Sequence, residues 1–184
     1  MRKTILTIEE IKKINQDLGK KFTELFKDEE LSPVFIGVMK GALPFMMDLI
    51  REIDCPILTD YVQISSYMGT ESTGVIKLKK DVSINLENRQ VVIVEDIIDS
   101  GNTLKWLKEY LQKNYCPKKV ITCTLLDKKC QRKVDFDSDY VGKVIGNEFI
   151  VGYGLDYDEY FRNEKYVFVP SKEEIEAIDK KNNF

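Results

Sequence analysis

Two adjacent acids, Glu95 and Asp96, end an apolar β-branched run that begins at Val91, and Asp99-Ser100-Gly101-Asn102-Thr103 follows shortly after. Leu104, Leu107 and Leu111 then recur at helical spacing. This is the order of a buried strand, a polar loop and a helix N-terminus. Backbone N–H groups from Ser100 to Thr103, with two hydroxyls, stand at the positive end of such a helix, which suits a phosphate. The carboxylates of Glu95 and Asp96 suit sugar hydroxyls or a hard cation such as Mg²⁺.

Two further junctions carry lysines. Met39-Lys40-Gly41-Ala42 follows the apolar run Val34 to Val38, and Asp127-Lys128-Lys129 follows Val120 to Leu126, with Arg132 and Lys133 a few residues on. Each reads either as part of an anion-binding crevice or as a solvated basic turn. Gly37 to Ala42 is not a Walker A loop, because it does not supply G-x-x-x-x-G-K-S/T. The chain has no histidine. Ser–His–Asp and Cys–His triads are therefore excluded, and a general base must come from Asp, Glu, Lys, Tyr or Cys. Cys116, Cys123 and Cys130 recur every seven residues, but with no C-x-x-C pair and no histidine they read, with Cys55, as reduced thiols.

The elements that must position these residues alternate along the chain. Thr7-Ile8-Glu9-Glu10 is a capping box, and the spacing of Ile8, Ile11, Ile14, Leu18, Phe22 and Leu25 predicts an amphipathic helix ending near Phe26. A strand at Val34 to Val38 leads to a helix from about Leu43 to Arg51. Further strands are expected at Ile57 to Ser65, Val75 to Leu78, Val120 to Leu126, Tyr140 to Ile145, Phe149 to Gly154 and Tyr166 to Val169. Ser65 to Gly74 is rich in Ser, Thr and Gly, and reads as a lid over a reacting centre or as a plain hairpin loop. Asp156 to Arg162 mixes aromatics with acids and reads as a structured loop. Ser171-Lys172-Glu173-Glu174 caps a short final helix with Ile175 and Ile178, and the polar end from Lys180 is expected to fray. Strands alternating with helices imply a doubly wound α/β sheet.

At 184 residues with 43% hydrophobic and 32% charged composition, a single globular domain over 1–184 is expected. A net charge of −3 gives no overall basic field, so nucleic acid is not an expected partner. The N-terminus has no long apolar stretch before Glu9 and Glu10, and nothing approaches the roughly 20 apolar residues of a membrane span. A cytoplasmic protein without membrane contact is expected.

The stretch around Glu95 to Thr103 resembles the phosphoribosyl-pyrophosphate-binding motif of the type I phosphoribosyltransferases. Gly37-Val38-Met39-Lys40-Gly41-Ala42, Ser65-Ser66-Tyr67, Leu125-Leu126-Asp127-Lys128 and Phe149 to Tyr157 narrow the resemblance to the bacterial hypoxanthine-guanine branch of that family, in the family's order from about Thr7 to Val169. The resemblance implies a twisted, mostly parallel sheet flanked by helices, with a small hood formed from terminal segments. It implies transfer of phosphoribose from phosphoribosyl pyrophosphate to a 6-oxopurine, with Mg²⁺, by a homodimer or homotetramer. Glu95 and Asp96 would bind ribose hydroxyls and metal, and Ser100, Gly101, Asn102 and Thr103 the 5′-phosphate. Asp99 would be the general base at purine N7. Lys128 would donate to the exocyclic O6, Phe149 would stack on the purine and the Ile150 backbone would read its edge. Asp156 would help hold a metal ion beside the purine. Lys40, Gly41 and Arg162 would contact pyrophosphate, and the Ser66-Tyr67 segment would be the lid. A cis peptide is expected between Met39 and Lys40. Lys143 stands where the family often has an aromatic, and Gly146-Asn147 where it usually has Pro-Asp, so preference among hypoxanthine, guanine and xanthine stays open. A regulatory protein of the same fold and a xanthine-preferring enzyme are the rival readings.

Overall fold

The computed structural model describes residues 2–66 and 76–182. Strand β1 (Lys3–Leu6) leads into helix α1 (Ile8–Phe26), and Thr7 caps it as expected. The Thr7 hydroxyl accepts the Glu10 N–H at 3.1 Å, while the Glu10 carboxylate accepts the Thr7 N–H at 2.8 Å. Caps of this kind are worth about 1 kcal/mol. Strand β2 (Val34–Met39), helix α2 (Leu43–Arg51), strand β3 (Leu58–Ser66) and strand β4 (Ile76–Lys80) follow. Next come β5 (Gln90–Ile98), α3 (Asn102–Tyr115), β6 (Lys119–Asp127), β7 (Tyr140–Val144), β8 (Val167–Val169) and α4 (Lys172–Asn182). Helix α4 thus continues past Lys180.

Six strands form one sheet in the order β4-β3-β2-β5-β6-β7, parallel throughout except for β4, which runs antiparallel on the edge. Both faces are covered, and β5 shows why its sequence is a continuous apolar run. Val92 and Val94 join a cluster with Phe22 and Phe26 of α1 and Phe45 and Leu49 of α2. Val91 and Ile93, pointing the other way, join Leu104, Leu107 and Leu111 of α3. Alternation along a strand with helices on both sides leaves no solvent-facing position from Val91 to Val94. The first face is tightened by aromatic edges: the ring of Phe22 meets Phe35 of β2 at 5.4 Å and 88°.

One strand expectation is corrected. Phe149 to Gly154 is not a strand; Val151 alone bridges to Phe168 of β8. Tyr153 has φ 50°, and Gly152 and Gly154 have φ 100° and 99°, so the chain turns repeatedly where an extended run was expected. A Cβ at Gly152 would strike the Tyr166 carbonyl. The closeness of two backbones, not strand pairing, explains the glycines there.

The terminal segments make a separate two-stranded antiparallel sheet, with Lys3 opposite Val169. Arg2 lies 4.1 Å over the Phe168 ring and bonds Glu164 and Glu174. Lys143 on β7 reaches the Ile5 carbonyl at 3.1 Å and Glu10 at 2.7 Å. The residue that departs from the family pattern therefore ties the main sheet to this hood.

On the other side of the sheet, buried Asp60 on β3 pins the segment between β4 and β5. It accepts N–H groups from Tyr61 at 2.8 Å, Ser83 at 2.5 Å and Ile84 at 3.2 Å, and the Lys80 ammonium at 3.0 Å. Burial alone raises a carboxyl's pKa, but these donors outweigh it and hold Asp60 down at about 2 against an ordinary 3.8. A depressed acid stabilises above its unfolded pKa and loses that contribution as pH falls through its folded one. Asp60→Asn is expected to lower stability at pH 7 by about 2 kcal/mol, with the deficit shrinking as pH falls from about 4 to 2. Urea melts of both proteins across that range check this; a deficit independent of pH refutes it.

Candidate active site

The crossover from β2 through α2 turns to β3, whereas that from β5 through α3 turns the opposite way to β6. Ligands bind outside the carboxyl ends of strands at such a switch point. The register shows the gap opening. Pairing of β2 with β5 ends at Gly37–Val94, while β2 stays paired with β3 to Met39–Gln63 and β5 with β6 to Ile98–Asp127. A cavity of about 270 Å³ fills the space, lined by Met39, Glu95, Asp96, Asp99, Ser100 and Thr103.

Glu95 and Asp96 lie within β5 itself, so the strand continues through both acids. Asp96 is buried, and one of its oxygens accepts the Ile97 N–H at 2.8 Å. Burial, and then the charge of Asp96, push the Glu95 carboxyl well above the usual range; burial also raises Asp96. Two adjacent acids so disfavoured as anions fit a site completed by a cation, and two carboxylates with the remaining ligands from substrate oxygens suit Mg²⁺. A Cβ on Gly41 would collide with the Asp96 carboxylate, and one on Gly154 would collide with the Gly41 carbonyl. The turn after β2, strand β5 and the later loop thus meet closely at Gly41 and Gly154, where only glycine fits. The Met39–Lys40 peptide is cis, as expected.

Gly101 precedes α3 with φ 84° and no side chain capping the helix. The first N–H groups of a helix have no partner within it, so those of α3 face the loop's concave side. Asp99 is exposed at the mouth. Its carbonyl accepts Arg132 at 2.6 Å, and the Ser100 carbonyl accepts the Lys133 N–H at 2.9 Å. Arg132 in turn pairs at 2.6 Å with Asp127, which is completely buried at the end of β6. The basic turn is therefore not merely solvated. Arg132 joins the loop of Asp99 to the strand end that carries Lys128, and the Lys128 N–H donates to the Ile98 carbonyl at 2.9 Å.

Lys128 is 9% exposed, Ile150 is buried, and Phe149 is half exposed with its ring edge-on to Tyr157 at 5.9 Å. The Gly146-Asn147 departure has a local partner: the Asn147 side chain accepts from Gln131, on the 3₁₀ turn just after Lys128. Asp156 bonds Arg162 at 2.9 Å and the Glu159 N–H at 2.9 Å, and Arg162 also donates to the Gly154 carbonyl at 2.7 Å. Asp156 forms no three-acid cluster with Glu95 and Asp96 among the described residues. Lys40 pairs with Glu159 at 2.8 Å. First Lys40 and then Arg162 hold the Glu159 carboxyl below its usual range. Ser66 ends β3 with its backbone opposite Ile76, and Tyr67 lies outside the described residues.

Sequence reasoning gave Asp127 and Glu159 no role of their own and left Arg132 between a crevice and a solvated turn. An acid closing the apolar run of β6 was the available signal for Asp127 and for its near neighbour Arg132; Glu159 depends on Lys40, distant in the chain.

A phosphoribosyl transferase domain model matches residues 4–158. The chain is 44% identical over 168 residues to a hypoxanthine-guanine phosphoribosyltransferase of Staphylococcus epidermidis, which spans 91% of this chain and 92% of the relative. The crystal structure of a hypoxanthine phosphoribosyltransferase from Staphylococcus aureus matches with a TM-score of 0.87 and 42% identity, over 93% of this chain and 92% of that one. A hypoxanthine phosphoribosyl transferase from Trypanosoma cruzi matches with a TM-score of 0.88 and 32% identity, over 97% and 95%. With a family model across most of its length and relatives this similar over nearly all of theirs, the chain belongs to the hypoxanthine-guanine phosphoribosyltransferase family.

Proposed function

We propose that the chain salvages purines, transferring the 5-phosphoribosyl group of phosphoribosyl pyrophosphate to N9 of hypoxanthine or guanine and releasing pyrophosphate. The observation that carries this reading is the joining of β5 and β6 at their carboxyl ends. The Lys128–Ile98 hydrogen bond and the Arg132 bridge set an exposed carboxylate, a phosphate-binding loop and a buried lysine side by side. A purine between Asp99 and Lys128 meets an acceptor at one edge and a donor at the other.

The Ser100–Thr103 loop holds the 5′-phosphate on the N-terminus of α3. Glu95 and Asp96 bind the ribose hydroxyls and Mg²⁺, which when bound neutralises charge on the diphosphate. Asp156 would help hold a metal ion at the purine end of the site. Phe149 supplies the stacking face, and the Ile150 backbone reads the purine edge. Lys40, Gly41 and Arg162 receive the pyrophosphate as the bond to C1 of ribose breaks. Asp99 takes the N7 proton as N9 attacks, so no histidine is needed. The Ser66-Tyr67 segment is assigned to the lid. One domain over 1–184, a cytoplasmic location and a homodimer or homotetramer belong to the same reading; exposed Leu43, Met47 and Tyr61 support self-association. No described helix is long and apolar enough to cross a membrane.

The reading is tested by offering hypoxanthine, guanine, xanthine and adenine with phosphoribosyl pyrophosphate and Mg²⁺. The ammonium of Lys128 only donates, and adenine offers an amine where 6-oxopurines offer an acceptor, so adenine is expected to be a poor substrate. Comparable turnover of adenine and hypoxanthine refutes that role. Asp99→Asn is expected to slow turnover by roughly 10²–10⁴; an unchanged kcat removes the assignment of the base.

A further inference from the structure

The loop from Asp156 to Arg162 delivers a carboxylate to the two cations assigned to pyrophosphate. Glu159 Oε2 lies 2.8 Å from Lys40 Nζ and 3.4 Å from Arg162 Nε, so both cations share one oxygen. The other oxygen, Oε1, is 3.4 Å from the Arg162 guanidinium. The backbone presents the side chain: Asp158 and Glu159 have φ 49° and 69°, and the Glu159 N–H donates to Asp156. Non-glycine residues hold a left-handed conformation where their surroundings fix it. Those surroundings are supplied by α4, where Asp179 accepts the Tyr157 hydroxyl at 2.7 Å and the Asn182 amide donates to Asp158.

An isolated surface ion pair contributes little. Here, one carboxylate bridges cations from distant parts of the chain, beside a cavity of about 460 Å³ lined by Lys40, Gln63, Gly154 and Arg162. We propose that Glu159 is a resident anion at the leaving-group end of the crevice and determines which anions enter it. A diphosphate carries enough charge and oxygens to satisfy Lys40 and to replace the 3.4 Å contacts of Arg162, which keeps its 2.9 Å pair with Asp156, once the Glu159 carboxylate has left. A single orthophosphate competes with Glu159 on nearly even terms and gains little by displacing it. Glu159 therefore keeps the Lys40–Arg162 pair from filling with orthophosphate while leaving it open to pyrophosphate. The inference rests on the phosphoribosyl-transfer reading, because that reading assigns these cations to pyrophosphate.

Calorimetric titration of the full chain and of Glu159→Gln with pyrophosphate and with orthophosphate, both with Mg²⁺, tests it alongside the steady-state KM for hypoxanthine. Glutamine keeps the shape and removes the charge at an exposed position. The expected result is a rise in orthophosphate affinity of roughly threefold or more, a smaller rise for pyrophosphate and an unchanged KM for hypoxanthine. Raised salt should shrink both gains. An unchanged ratio of the two affinities, or weaker binding of both anions, overturns the inference while leaving the reaction intact. Absence of pyrophosphate binding by either protein, together with no turnover of phosphoribosyl pyrophosphate, overturns the functional reading itself and this inference with it.

Discussion

A parallel sheet buried on both faces has no room for a ligand until two neighbouring strands stop pairing. Beyond Gly37 and Val94 the ladder between β2 and β5 ends, while each strand keeps its other neighbour. The backbone stays paired on both flanks of the gap, and the gap itself carries acids among apolar walls. Glu95 and Asp96 line one side, and the Lys40–Gly41 turn closes the floor through contacts so tight that a Cβ at Gly41 would overlap Asp96. Rigid walls matter for a reaction whose charge separation must meet fixed dipoles and cations, because a site that reorganises during the reaction gives up part of that stabilisation.

The crevice also answers an electrostatic problem. A chain of net charge −3 must accept a polyanionic substrate. Three cations around the crevice pair with resident acids: Arg132 with Asp127, Lys40 with Glu159, Arg162 with Asp156. The three pairs differ in kind. Asp127 is fully buried, so its ion pair with Arg132 is architecture whose loss strands a charge in the core. The Lys40 and Glu159 side chains are more than half exposed, so solvent screens their attraction and an incoming anion can exchange for it.

Much of this was legible in sequence because local chemistry decides it. Thr7 and Glu10 cap α1 through bonds within one turn, Leu104, Leu107 and Leu111 mark the buried face of α3, and the helix from Leu43 to Arg51 has the bounds its pattern predicts. The acids and loop from Glu95 to Thr103 lie together because they are contiguous. What was not legible depends on distant backbone. Phe149 to Gly154 has the composition of a strand, but the approach of the Tyr166 carbonyl to Gly152 turns it aside. The turn with Arg132 stayed open between crevice and solvent because its bond to the Asp99 carbonyl joins loops that follow two different strands. Glu159 meets Lys40 from 119 positions away, and no periodicity encodes that.

The pairing of Lys3 with Val169 has a temporal side. Synthesis runs from N- to C-terminus, so β1 is made long before β8, its strand partner among the described residues, and waits for it unpaired. The main sheet, from Val34 to Val144, has no such wait, and its crevice can take shape on a growing chain. The loop bearing Glu159 and Arg162 is anchored by β8 and α4 and belongs to the late part. By the same order of synthesis, the loop from Asp99 to Thr103 is made before the one that bears Glu159 and Arg162, and the crevice is completed from its β5 side.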